Sequence, residues 1–262
     1  MKKLITAALV ALTIAPAFAQ TDAPTRRIDY RKLRFGAYIA PNTSWMRPTA
    51  NTDDKKEFNV QNEGSRIGFT YGLMVDYFFA ENYGIVTGLQ VNSTGGNILA
   101  TRITQATAAN INTVNTADFE YKLQYLEIPV ALKLRTDEIN KFRFFGQLGV
   151  ALGFNIAKKT NYTVSYIDGS GGAKIATGDN EKLTGGVGSI APVMLQMNIG
   201  AGAEYPLNDK LSAYAGIFFN NGFLPDATKP NLYDEKNLGY SGEFRDANTR
   251  LNNFSLRLGL FF

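Results

Sequence analysis

The last nine residues, Phe254-Ser-Leu-Arg-Leu-Gly-Leu-Phe-Phe262, alternate large apolar side chains with small or polar ones and end on an aromatic residue. Because successive side chains of an extended strand point to opposite faces, one face carries Phe254, Leu256, Leu258, Leu260 and Phe262. The other face carries Ser255, Arg257, Gly259 and Phe261. A strand of a membrane barrel has this pattern, with its apolar face against lipid. A soluble sheet can end in the same way, so the rest of the chain decides between the two.

The amino terminus carries the features of an export signal. Lys2 and Lys3 precede an apolar run from Leu4 to Ile14, and Ala-Phe-Ala at 17–19 supplies the small residues of a cleavage site. The run is too short to span a hydrocarbon core of ~30 Å, so a retained membrane anchor is the weaker interpretation. We therefore expect a signal peptide at 1–19, a short periplasmic segment at 20–31 and a barrel domain at 32–262.

Seven further segments repeat the alternation of the last strand, and connections of two kinds separate them. Short connections lie near residues 81, 138 and 208, whereas longer polar stretches occupy 48–65, 95–118, 158–191 and 221–250. Each segment reaches or approaches the roughly 9–11 residues that cross a bilayer as a tilted strand. The sequence therefore predicts an all-β fold, an eight-stranded antiparallel up-and-down transmembrane β-barrel. Within the fourth segment Pro129 lacks a backbone N–H, so we expect a bend or bulge there.

A soluble eight-stranded barrel is the alternative fold. It would turn its apolar face inward, and it would have less need of the Gly and Ala residues that fill the other face here. In the membrane barrel both termini and the short turns face the periplasm, and the long loops face outside the cell. We therefore expect a multi-pass protein of the bacterial outer membrane, in contact with outer-membrane lipid.

The composition excludes several classes of function. The chain contains no cysteine and no histidine. A disulfide framework, a thiol nucleophile, a thiolate metal site and a lipoprotein anchor are therefore absent, and so is the imidazole that most hydrolases and zinc sites use. We expect no enzyme, no cofactor and no metal site, which leaves a lipid-modifying membrane enzyme as a weak alternative. With 27 Lys and Arg against 23 Asp and Glu, the charge balance does not indicate a nucleic-acid partner.

Projection of the predicted strands places charged and amide side chains inside the barrel. An eight-stranded lumen is just wide enough for side chains, so we expect these groups to pair with one another and plug it. A proton or ion path is the alternative. A general acid–base set of Asp76, Glu127 and Glu204 is a separate hypothesis, but with five cationic residues at hand we expect these carboxylates to form salt bridges. Because an isolated buried charge is unfavourable, we also expect Glu127 and Arg257 to form an ion pair across the lumen, shared with Gln147 or Lys133. The projected polar network comprises Arg34, Asp76, Glu127, Lys133, Arg135, Arg143, Gln147, Glu204 and Arg257.

Four short motifs resemble the PorT-like outer-membrane β-barrel family. They are Lys32-Leu-Arg-Phe-Gly36, the segment from Tyr71 to Phe79, Phe144-Phe-Gly-Gln-Leu-Gly149 and, most specifically, Tyr125-Leu-Glu-Ile-Pro-Val130. The resemblance extends from about residue 32 to the end of the chain. It implies an outer-membrane barrel, and because some members are accessory components of the type IX secretion system, it also implies a link to protein secretion.

These observations predict a non-enzymatic outer-membrane barrel with a plugged polar lumen. We expect it to act through protein contacts of its loops or its periplasmic rim, with proteins of a secretion complex as candidate partners. The aromatic terminus at Phe262 resembles the signal that the barrel-insertion machinery of Gram-negative bacteria reads, so we expect that machinery as a partner during assembly. A small passive porin-like channel is the alternative function.

Overall fold

The alternating segments of the sequence form twelve β-strands in the part of the chain that the structure describes. A computed structural model describes residues 32–49, 58–103, 113–167, 170–182, 190–225, 231–233, 241–243 and 248–262. The expected signal peptide at 1–19 and the expected periplasmic segment at 20–31 lie outside these ranges. The strands are β1 (Leu33–Thr49), β2 (Phe58–Gly64), β3 (Arg66–Ala80), β4 (Tyr83–Arg102), β5 (Thr113–Arg135), β6 (Arg143–Ile167), β7 (Ala173–Lys182), β8 (Val193–Pro206), β9 (Ser212–Gly222), β10 (Asn231–Tyr233), β11 (Ser241–Glu243) and β12 (Asn248–Phe261).

Eight of these strands close into a ring. The antiparallel order is β1, β3, β4, β5, β6, β8, β9 and β12, and β12 pairs again with β1. The pairing of Ile39 with Leu258 joins the first strand to the last. This ring confirms the predicted eight-stranded antiparallel barrel. Over the described ranges, no helix is long and apolar enough to cross a membrane.

The three short connections lie at one end of the barrel, which we call the turn end. They join β3 to β4 near residue 81, β5 to β6 near 138 and β8 to β9 near 208, as the sequence predicts. We call the opposite end the loop end. The amino-terminal end of β1 and the carboxy-terminal end of β12 both lie at the turn end, since Gly36 pairs with Phe261.

The register of β5 passes through Pro129 without a shift, so the bulge expected there is not found. Ile128, Pro129 and Val130 pair in sequence with β6, and Thr87 and Gln90 of β4 keep one alignment with β5. The ladder to β4 instead skips Gly88 and Leu89, opposite the residue that has no N–H to donate. The Thr87 hydroxyl donates to the Pro129 carbonyl at 2.9 Å. The ladder to β4 is therefore interrupted at two residue pairs, and the strand stays in register.

An apolar belt surrounds the turn-end part of the barrel, and β5 shows where it stops. Between residues 126 and 134 the outward positions are apolar, and Ile128, Val130, Leu132 and Leu134 are exposed. Between 118 and 125 the pattern is reversed, with charged or amide residues outward and buried aromatic and aliphatic residues inward. Nine residues of tilted strand match the thickness of a hydrocarbon core. The edge of the belt nearer the loop end therefore lies between Tyr125 and Leu126 on β5.

One side of the barrel wall continues well beyond this belt. Strands β4, β5 and β6 have 20, 23 and 25 residues, about twice the length that a bilayer requires. Strand β2 pairs with the far part of β4, and β7 pairs with the far part of β6. We call this sheet the β extension (Phe58–Gly64, 94–102, 113–125, 157–167 and Ala173–Lys182).

The β extension corrects the prediction that 48–65, 95–118 and 158–191 are loops. These stretches contain many Thr, Asn, Gly and Lys residues, which weaken the alternation of hydrophobicity on which the prediction depends. Outside the bilayer the backbone can still pair strand to strand while the outer face stays polar. The polarity of the outer wall therefore changes at the membrane edge, and the strand pairing does not. The 221–250 stretch includes the separate hairpin of β10 and β11.

Candidate functional site in the barrel lumen

Four charged side chains meet in the lumen near the turn end, one each from β1, β3, β5 and β8. Arg34 Nη2 donates to Asp76 Oδ2, and Arg34 Nη1 donates to Glu204 Oε2, both at 2.8 Å. Lys133 Nζ donates to Asp76 Oδ2 at 2.7 Å and also to Glu204 Oε1. Two cations thus alternate with two carboxylates in a closed cycle, which we call the ion cluster.

The strand pairing and the surrounding aromatic rings hold the ion cluster in place. Arg34 and Asp76 are direct neighbours in the pairing of β1 with β3. The Phe261 ring lies 4.2 Å from the Arg34 guanidinium and 4.9 Å from Lys133 Nζ. All four charged side chains are almost completely buried. Because each buried ion loses several kcal/mol of hydration, this burial requires the alternation of charges that the cluster shows.

The structure does not bring Glu127 and Arg257 into the direct ion pair that the sequence predicts. Glu127 accepts hydrogen bonds from Gln90 Nε2 and, at 2.8 Å, from Asn92 Nδ2. The Arg257 guanidinium lies 4.0 Å from the centre of the Phe218 ring and 5.1 Å from that of Tyr38. No ion pair joins these two residues within the described lumen. The amides of Gln90 and Asn92 on the adjacent strand satisfy Glu127 instead, because Gln90 is its register partner.

Tyr38 and Gln90 form an indirect connection between the two charges. The Tyr38 hydroxyl donates to Gln90 Oε1, and Gln90 donates to Glu127. Neither of the side chains expected to share the pair takes part, since Lys133 belongs to the ion cluster and Gln147 Nε2 donates to Asn198 Oδ1 at 3.1 Å. The middle of the lumen is therefore crossed by polar contacts that are mostly uncharged.

Amide side chains complete this middle level on the other side of the barrel. From Asn198 the chain of hydrogen bonds continues to Asn220 Oδ1 at 2.5 Å, and from Asn220 to Asn253 Oδ1 at 2.6 Å. Asn220 and Asn253 were not among the projected lumen residues, although they have the inward parity of β9 and β12. The available signal was parity along the strand, since Asn253 lies four residues before the inward Arg257. The amide ladder links β6, β8, β9 and β12 across the lumen wall.

Arg135 and Arg143 lie outside the ion cluster, nearer the turn end. Arg135 Nε donates to the Glu81 carbonyl at 2.9 Å, and its guanidinium lies 3.7 Å from the centre of the Phe78 ring. Arg143 is buried and is the register partner of Glu204 on β8. The projected residues therefore separate into three groups, with four in the ion cluster, three at the middle level and these two arginines at the mouth.

Apolar side chains fill the loop end of the lumen, and projection of the sequence misses them. The strand segments that supply many of them were expected to be loops. Along β5, however, Phe119, Tyr121, Leu123 and Tyr125 already alternate with polar residues, which was the available signal. The buried cluster comprises Met46, Ile98, Ala100, Val114, Ala117, Phe119, Tyr121, Leu123, Tyr125, Val164, Ile190, Met194 and Leu251. Side chains thus occupy the lumen at three successive levels, namely the ion cluster near the turn end, the middle level and this apolar cluster at the loop end.

The described residues offer no set of side chains suited to a metal ion. No group of three or more Asp or Glu residues is placed to hold one in the part of the chain that the structure describes, and the chain has no His or Cys. The carboxylates of the ion cluster accept from Arg34 and Lys133 instead. Because these carboxylates are bonded to cations from other strands, the ion cluster links β1, β3, β5 and β8 across the lumen.

Comparison with known proteins gives one family match and several structural likenesses. The family model described as outer membrane protein beta-barrel domain matches residues 18–220, and its description does not single out the PorT-like group that the motifs resemble. The solved structure of Neisserial surface protein A is 11% identical with a TM-score of 0.40, over 88% of this chain and 98% of that one. OprG from Pseudomonas aeruginosa is 13% identical with a TM-score of 0.40, over 90% and 99%. No curated protein shows significant sequence similarity.

Proposed function

On the premise that this chain belongs to the outer membrane protein beta-barrel domain family, we propose that it is a non-enzymatic scaffold of the bacterial outer membrane. The observation that carries the proposal is the ion cluster. Arg34, Asp76, Lys133 and Glu204 reach inward from four strands and bond to one another across the lumen. A barrel closed in this way holds its shape and offers its rims and its extension as contact surfaces.

The β extension is the surface best suited to a protein partner. It carries the sheet beyond the apolar belt, and in the described residues β7 pairs with β6 alone. A strand with one free edge presents unpaired N–H and C=O groups to which another chain can add a strand. Ile175 of this strand is 73% exposed. In our proposal the extension faces outside the cell, and the short turns and both termini face the periplasm.

The narrower proposal is an accessory role in protein export, of the type IX secretion kind. It is supported by the resemblance of Tyr125–Val130 and the other motifs to the PorT-like family. In this version the partners are proteins of the secretion complex, and the turn-end rim or the extension binds them. Co-purification from native membranes tests it directly, because a structural partner should remain bound when the membrane is dissolved in mild detergent.

Two measurements test the scaffold proposal against a small passive channel. In planar bilayers the native barrel should give no steady conductance, because side chains occupy its lumen at three levels. Steady conductance of the native barrel would favour the channel.

The second measurement is the co-purification from native membranes. There, Ile175→Lys should reduce the amount of co-purified protein, whereas Lys174→Gln on the same strand should not. An equal yield from both variants would remove the extension from the proposal.

A further inference from the structure

A narrow cleft opens at the turn-end mouth of the barrel. Four cationic side chains line it, from Arg34, Arg135, Lys141 and Arg143, against the two carboxylates of Glu138 and Glu204. The pocket therefore has an excess of two positive charges. Arg34 and Glu204 already bond to each other in the ion cluster, so the excess lies with the residues nearer the turn.

Arg135 is the buried donor of this pocket. Its side chain is 6% exposed, and its Nε is occupied by the Glu81 carbonyl. Its Nη1 is buried and has no hydrogen-bond partner among the residues that the structure describes. A buried guanidinium N–H without a partner is unfavourable, and such groups in native proteins are usually satisfied by a bound group or water. The free N–H of Arg135 is thus available to a group that accepts hydrogen bonds.

The turn that carries Lys141 supports the same conclusion. Ile139 and Phe142 exchange two backbone hydrogen bonds, of 2.8 and 3.0 Å, around the two-residue turn Asn140-Lys141. Both turn residues have positive φ, 51° for Asn140 and 71° for Lys141. Glycine is the favoured residue at the second position of such a turn. A lysine there adds a cation to the rim of a pocket that already repels cations.

We propose that this pocket binds an oxyanion, either a phosphate or a carboxylate. The Arg135 guanidinium donates from Nη1, the Ser212 hydroxyl lies in the same lining, and Lys141 supplies charge at the rim. Arginine is suited to this chemistry because its planar fork matches the oxygens of both groups. The inference goes beyond the scaffold function and does not depend on which side of the membrane the turns face.

Isothermal titration of the purified, folded barrel in detergent tests the proposal. The probes are inorganic phosphate and, separately, the dipeptide acetyl-Asp-Asp-amide, at an ionic strength kept constant with sodium chloride. We expect saturable binding of at least one probe, weakened at least about tenfold by Arg135→Gln. Tighter binding of phosphate would identify a free phosphate as the ligand, and tighter binding of the dipeptide would identify an acidic protein segment.

Matched variants separate specific binding from general attraction to a cationic barrel. Arg66→Gln removes a loop-end arginine that pairs with Glu120 at 2.6 Å, and it should leave binding unchanged. If Arg135→Gln fails to fold, Lys141→Gln and Ser212→Ala at the same pocket should each weaken binding several-fold. The proposal is overturned if neither probe binds saturably, or if the pocket variants bind as tightly as Arg66→Gln.

Discussion

At the scale of single residues, the removal of Lys133 should destabilise the barrel strongly, because both carboxylates of the ion cluster accept from its Nζ. Lys133→Met should lower the free energy of unfolding by about 3–5 kcal/mol, the range found when one partner of a buried pair is removed. Adding Glu204→Gln should recover part of the loss, since it removes a carboxylate left without its lysine. Urea unfolding in detergent measures both, with the exposed Lys174→Met as the control. If the double variant loses more free energy of unfolding than the two single variants lose together, the result would contradict the ion cluster.

Glu127 and Arg257 should behave differently, because Gln90 and Tyr38 separate them. In a double-mutant cycle of Glu127→Gln and Arg257→Met, we expect a coupling energy near the lower limit for residues of one network, about 0.5 kcal/mol. The corresponding cycle for Lys133 and Glu204 should give several times more. A coupling of several kcal/mol between Glu127 and Arg257 would mean that they form a direct pair in the folded barrel.

In the β extension, three lysines stand in one row across neighbouring strands. Lys159 of β6 is the register partner of both Lys122 of β5 and Lys182 of β7. Like charges directly opposite each other destabilise a sheet. Nearby, burial and the Glu120 charge raise the pKa of Asp118. The outer wall of the extension thus keeps groups of like charge close together, with Lys159 at the centre of the row.

Lys159→Glu should therefore stabilise the protein. It replaces two repulsions with two attractions, each in the range of roughly 0.2–1 kcal/mol. Lys159→Gln should give an intermediate gain, because it removes only the repulsion. Thermal unfolding at low and high salt measures the effect, and the gain should shrink as salt screens the charges. A loss of stability in both variants would show that the row is satisfied by a group that binds it.

The elements inside the apolar belt could be predicted from sequence, and those beyond it could not. Lipid requires every outward residue from Leu126 to Leu134 to be apolar, so alternation there is strong and the register follows. The segment Thr94-Gly-Gly96 of β4 lies beyond the belt, where no lipid requires apolar outward residues. Its hydrophobicity therefore does not alternate, and the sequence resembles a loop. Projection also places Glu127 and Arg257 inside the barrel, and both are buried in the structure. It gives no distances across the lumen, so it could not show that Gln90 and Asn92 satisfy Glu127.

For the whole molecule, assembly should depend on the terminal aromatic residue. Phe262 N donates to the Phe35 carbonyl at 2.8 Å, and its side chain is 55% exposed at the outer surface. Deleting Phe262, or changing it to Asp, should reduce the amount of heat-modifiable folded barrel in cells, because the last strand then lacks its lipid-facing end. The mutation Phe254→Tyr on the same face is the control. Native amounts of folded barrel in both Phe262 variants would contradict this dependence.

The orientation of the whole barrel can be tested with single cysteines, because the chain contains none. Thr177→Cys lies on the β extension, and Asp209→Cys lies in the turn between β8 and β9. A membrane-impermeant maleimide added to intact cells should label the first variant and should label the second only after the outer membrane is opened. The opposite labelling would reverse the orientation that we propose.

The seam between β1 and β12 has a consequence for the time course of folding. The residues that meet there, such as Ile39 and Leu258, come from opposite ends of the folded domain. Contacts so distant along the chain form slowly, because the entropy of closing a long loop is lost before any pairing compensates for it. The incomplete sheet has two open edges until its last strand arrives, and open edges invite aggregation. The time between the pairing of the first strand and the arrival of the last is therefore the period in which this chain is most prone to aggregate.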